Sequence, residues 1–160
     1  MYVLLNQTNI KKTTDSGATW IDITPSSSVS NGQTNITSIE TGKTPGELWA
    51  AYGNAQNSVK VLYTTNGGGS WVNITTNNLP AAAVSDIAYQ RGTNGGVYIC
   101  IITSNGTTIW YKNNNMNQWQ QVGNTLPLMG YIKNRLFVVP AMNKIRFGGS
   151  RGAWETDLYE

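Results

Sequence analysis

Eight acidic side chains carry whatever acid–base chemistry this 160-residue chain has: Asp15, Asp22, Glu40, Glu47, Asp86, Glu155, Asp157 and Glu160. Glycoside hydrolysis needs two carboxyl groups facing across a sugar, about 5 to 10 Å apart. Glu155 and Asp157 alternate on one strand, which puts both on one face about 7 Å apart. The simpler reading is two solvated residues at the end of the last strand. Arginine forks grip a carboxylate in two-point fashion, and the chain holds Arg91, Arg135, Arg146 and Arg151. For Arg146 and Arg151 a local ion pair with Glu155 or Asp157 is the plainer role.

Histidine is absent, which removes the usual proton shuttle at neutral pH and the commonest metal ligand. Ser/His/Asp and Cys/His arrangements are therefore impossible. The lone Cys100 lies in the apolar run 96–102 and reads as a packed thiol rather than a nucleophile. No catalytic residue, metal site or cofactor is expected, and the chain taken alone reads as a non-enzyme.

Eleven basic residues against eight acidic ones give a net charge of +3, with no basic run longer than Lys11-Lys12. Nucleic acid is not an expected partner. No apolar stretch is long enough to cross a bilayer, and Met1 to Leu5 runs straight into polar sequence without a signal-peptide core. A soluble molecule is expected, with any export signal outside these residues.

The elements that position these groups follow from composition. Charged residues make up 12% and aromatic residues 10%; the rest is rich in Asn, Thr, Ser and Gly, which suits strands and tight turns and starves long helices. Within that background a repeat stands out. Thr13-Thr14-Asp15-Ser16-Gly17-Ala18-Thr19-Trp20 recurs as Thr64-Thr65-Asn66-Gly67-Gly68-Gly69-Ser70-Trp71, and faintly at residues 112–119, where Asn114 and Trp119 keep the spacing. The tryptophans are 51 and 48 residues apart, close to the period of a four-stranded propeller blade.

Each copy reads as strand, turn, strand. The Asx side chain accepts backbone amides, Gly takes the positive-φ position, and Thr or Ser closes the other side. The Trp opens the outgoing strand and offers its indole N–H to a carbonyl. Thr13, Asp15, Gly17, Trp20, Thr64, Asn66, Gly68, Trp71, Asn114 and Trp119 are thus assigned to structure.

Fourteen strands are predicted: residues 1–7, 9–14 and 19–24; 36–41, 47–53, 60–65 and 71–75; 84–90, 96–103, 107–112 and 119–122; and 135–140, 144–149 and 153–158. The expected architecture is an all-β propeller segment of about three and a half four-stranded antiparallel blades, at roughly 1–24, 36–75, 84–122 and 135–158. The first blade lacks its opening strand and the last its closing one. The Ser-rich stretch 25–33 is expected to be a flexible connection. Tyr52 and Tyr131, beside Gly53 and Gly130, are the aromatic rings expected at exposed loops, where they would meet a ligand.

At the hairpin residues the chain resembles the Asp-box, or BNR, repeat propellers of sialidases, xyloglucanase-type glycoside hydrolases and Vps10-type receptors. Residues 47–159 resemble the last blades of secreted propeller proteins of the Bacteroidetes type. The resemblance implies an extracellular or surface-displayed, non-catalytic scaffold or recognition module for glycan or protein surfaces. Its alternative is part of a glycoside hydrolase whose catalytic residues lie mostly elsewhere. The expected partners are remaining propeller blades or a second copy of the chain, because three and a half blades leave end faces uncovered.

Overall fold

The computed structural model describes residues 1–53, 59–127, 134–149 and 151–159. Fourteen strands are found among them, in four antiparallel sheets taken in chain order. Sheet 1 holds β1 (Tyr2–Leu5), β2 (Asn9–Lys12) and β3 (Ile21–Asp22). Sheet 2 holds β4 (Ile36–Thr41), β5 (Leu48–Tyr52), β6 (Val61–Thr64) and β7 (Val72–Asn73). Sheet 3 holds β8 (Ala83–Tyr89), β9 (Val97–Thr103), β10 (Gly106–Lys112) and β11 (Gln120–Leu126). Sheet 4 holds β12 (Arg135–Val139), β13 (Lys144–Gly149) and β14 (Gly152–Asp157).

Side-chain alternation explains why the sheets stack. Successive residues of a strand point to opposite faces, and along β9 both sets are apolar. Val97, Ile99 and Ile101 pack with Trp49, Ala51 and Val61 of sheet 2. Tyr98, Cys100 and Ile102 pack with Leu136, Ile145 and Phe147 of sheet 4. In β5, Leu48, Ala50 and Tyr52 turn instead toward Ile10 and Ile23 of sheet 1. Three apolar layers between four sheets therefore hold the molecule together.

The hairpin bearing Trp20 joins β2 to β3, as those of Trp71 and Trp119 join β6 to β7 and β10 to β11. Consequently β1 is the counterpart of β5 and β9, and among the described residues sheet 1 has no counterpart of the first strands β4 and β8. In sheet 4, β12 lies beside β8 as the next first strand. Among the described residues nothing pairs with the far edge of β14.

Three predicted features differ from the structure. The outer strands β3 and β7 are only two residues long because Asp22 and Asn73 each fold back to accept an amide at 2.9 Å, from Thr24 and Thr75 respectively. The freed Thr hydroxyls take over the ladder, Thr24 Oγ1 accepting from Ile10 N at 2.9 Å and Thr75 Oγ1 from Lys60 N at 2.7 Å. By contrast β11, with Gln121 at that position, runs on to Leu126 through a register shift.

The Ser-rich connection is also not loose. It contains a one-turn helix, Ser27–Ser30, closed by Asn31 in the left-handed region at φ 53°. Ser30 and Gln33 are buried, and the Gln33 side chain donates to the Val59 carbonyl. Finally, Tyr52 is 1% exposed rather than set at an open loop. Its amide still pairs with the Lys60 carbonyl at 2.9 Å, so strand geometry continues and carries the ring into the layer against sheet 1.

Candidate functional site

Two sets of side chains join one sheet to the next. In the first, the turn Thr13–Thr19 is closed by Asp15, whose Oδ1 accepts the Thr19 amide at 2.9 Å and whose Oδ2 accepts the Thr19 hydroxyl at 2.5 Å. Thr13 Oγ1 accepts the Gly17 amide at 2.9 Å. The Thr19 hydroxyl and amide, with the Thr13 hydroxyl that donates to Oδ1 at 2.7 Å, stabilise the ionised form and hold the Asp15 carboxyl well below its usual range. In the second turn, Asn66 Oδ1 accepts the Ser70 amide at 2.9 Å and Thr64 Oγ1 accepts the Gly68 amide at 3.1 Å. Gly68 has φ +91°, and an added Cβ would lie 2.5 Å from Ile23 of sheet 1; only Gly fits.

The third hairpin is built differently. Asn114 donates to Asn94 Oδ1 at 3.3 Å instead of closing its own turn, and the turn is held by Asn113, which accepts the Asn115 amide at 2.9 Å.

The tryptophans reach backward. Trp71 Nε1 donates to the Ile23 carbonyl of sheet 1 at 3.0 Å, and Trp119 Nε1 to the Ile74 carbonyl of sheet 2 at 2.9 Å. Both acceptors lie three residues after the Trp of their own sheet. Trp20, with no sheet before it among the described residues, is 41% exposed.

The second joint lies where the first strands meet. Asp86 of β8 is 3% exposed. Its Oδ1 accepts the Ser38 hydroxyl of β4, and its Oδ2 accepts the Leu136 amide of β12, both at 2.8 Å. Arg135 Nη1 stands 3.5 Å from Oδ1 with its side chain 65% exposed. One buried carboxylate thus ties three sheets together and holds a guanidinium at the surface.

Two polar clefts flank this line. At the starts of the first strands a cleft of about 310 Å³ is lined by Gln7, Asn35, Thr37, Ser85, Asn134 and Arg135, among others. At the far ends of β4 and β8 lies a groove with Glu40, Lys43, Tyr89 and Arg91. Burial raises the Glu40 carboxyl to about 7, the Asp86 charge adding to the shift and Arg91 opposing it. Neither Asp86 nor Glu40 stands out in sequence, each being a single acidic residue in a strand of mixed apolar and small polar residues.

The remaining sequence candidates separate cleanly. Glu155 is paired with Arg146 at 3.0 Å and Asp157 with Lys144 at 2.7 Å, all across β13 and β14. Tyr52 is enclosed, its hydroxyl pushed up to about 12 by burial. Tyr131 lies outside the described residues. Cys100 is buried and its thiol is likewise pushed up to about 12. No cluster able to hold a metal ion occurs among the described residues.

No family model and no curated protein matches the chain. Solved structures do. YCF48 bound to D1 peptide superposes with a TM-score of 0.61 at 22% identity, over 93% of this chain and 44% of that one. YCF48 from Cyanidioschyzon merolae gives 0.62 at 14% identity, over 99% of this chain and 48% of that one. The chain therefore spans about half the length of these β-propellers. With four consecutive antiparallel sheets of three to four strands, it has the fold of a partial β-propeller.

Proposed function

We propose that the chain is a non-catalytic recognition segment of a propeller, binding an extended stretch of another protein at the cleft where the first strands begin. The carrying observation is the Arg135 guanidinium, held beside buried Asp86 at the mouth of a polar cleft. A charged fork with side-chain amides and hydroxyls around it suits peptide carbonyls and carboxylates. The solved neighbour that holds a peptide supports the same class of partner. The hairpins at Asp15 and Asn66 are read as Asp-box turns whose task is structural. Ion pairing of both Glu155 and Asp157 favours binding over hydrolysis.

Screening a peptide library against the chain and its Arg135→Ala variant tests this reading. Peptides that bind the parent and lose at least tenfold in affinity to the variant support it. Equal binding to both, or sugar release from glycan substrates, defeats it.

A further inference from the structure

The groove at the far ends of β4 and β8 has a volume of about 470 Å³, within the roughly 300–1,000 Å³ of small-molecule sites. It lies between sheets 2 and 3. Glu40 and the turn 41–43 after β4 form one wall, and Tyr89, Arg91 and Gly92 at the exit of β8 form the other.

The charges around it are unevenly committed. Both carboxylate oxygens of buried Glu47, just behind the turn, have partners: Oε1 accepts the Tyr63 hydroxyl at 2.7 Å and Oε2 the Thr44 amide at 3.3 Å. Glu40 is half-buried, and burial together with Asp86 disfavours its charge. Lys43 and Arg91 reach solvent and take part in no ion pair among the described residues. Two cations on separate loops thus look onto a carboxyl that favours its neutral form.

We infer that this groove binds a short dicarboxylate. One ligand carboxylate takes the planar fork of Arg91 and the other the ammonium of Lys43, while Glu40, carrying its proton, donates a hydrogen bond to a ligand oxygen. Asp86 and Arg91 bear on Glu40, and Glu47 and Arg91 on Tyr89 beside it. Ligand and proton reinforce each other: a bound anion opposes the charged form of Glu40, so binding strengthens as pH falls through neutrality. The groove is separate from the cleft at Arg135, and the assignment stands whether or not that cleft binds peptide.

Fumarate, a dianion at both pH 6 and pH 8, is the probe. In 15N spectra of the full chain at fixed ionic strength it should give saturable shifts confined to residues 40–43 and 89–92. Affinity should be about fivefold higher at pH 6 than at pH 8, and at least tenfold above that of acetate or sulfate. Arg91→Ala should weaken binding at least tenfold, and Glu40→Gln, which is neutral throughout, should bind alike at both pH values. No saturable shift at millimolar fumarate, equal binding of acetate or sulfate, equal affinity of the parent chain at the two pH values, or shifts centred on Arg135 would each overturn the assignment. The pH and anion comparisons use the unaltered chain, so a variant that fails to fold leaves the test intact.

Discussion

The amide of Leu136 donates to the carboxylate of Asp86 at 2.8 Å across fifty residues of sequence. The opposite carboxylate oxygen accepts Ser38, so three first strands share one buried side chain. Asp86→Ala would leave the Leu136 amide buried without its partner, a loss of about 3 kcal/mol. Asp86→Asn keeps one acceptor oxygen and should cost about half as much. Urea titration followed by tryptophan fluorescence reads both values, and a loss below 1 kcal/mol for Ala, by the same principle, would show that the junction is redundant.

Equivalent tryptophans should be unequal in energy. Trp119 is wholly buried and Trp71 partly so, each with a carbonyl partner, whereas Trp20 is 41% exposed. Phe at 119 is expected to cost about 3 kcal/mol, at 71 about 1.5, and at 20 under about 0.5. The order of the three midpoints in a denaturant series is the check.

Glu40 makes stability depend on pH. Its carboxyl is raised from 4.5 to about 7 in the folded chain, chiefly by burial and then by Asp86, against Arg91. Tyr89 and Lys43 line the same groove. The folded state binds the proton more tightly, so the contribution is fully present below pH 4.5 and is lost as pH rises through about 7. Glu40→Gln removes the charge and should stabilise the protein at pH 8 by about 1 kcal/mol, after allowance for solvent screening, with little effect at pH 4. Thermal melts at the two pH values decide it.

Cys100 is closed off between sheets 3 and 4. Its thiol should stay unreactive toward a disulfide reagent at pH 8 in the native chain and react at once in denaturant. A fast native reaction would mean that the two sheets separate readily.

The strand pattern and the repeated hairpins are legible in sequence because their causes are local: an unbroken apolar run along β9, and a Thr, an Asx and a Gly within five residues. What escaped has distant causes. Asp86 finds its partners 48 and 50 residues away, so no window around it shows its role. The outer strands look longer in sequence because Asp22 and Asn73 are ordinary polar residues until their side chains replace the ladder. Tyr52 looks exposed beside a glycine, yet its environment is set by Ile10 and Ile36 of other strands. The groove at Glu40 is visible only once the sheets are stacked, since two of them build it.

The Trp contact asks for a side chain on one partner alone. Ile23 and Ile74 answer with main-chain oxygen, which every residue type provides. A substitution at the receiving positions therefore alters fit without severing the link, and the hairpin around Trp119 lacks the Thr and Asp chemistry of the first copy yet makes the same contact. A designer wishing to graft or reorder such units has one side chain per junction to preserve.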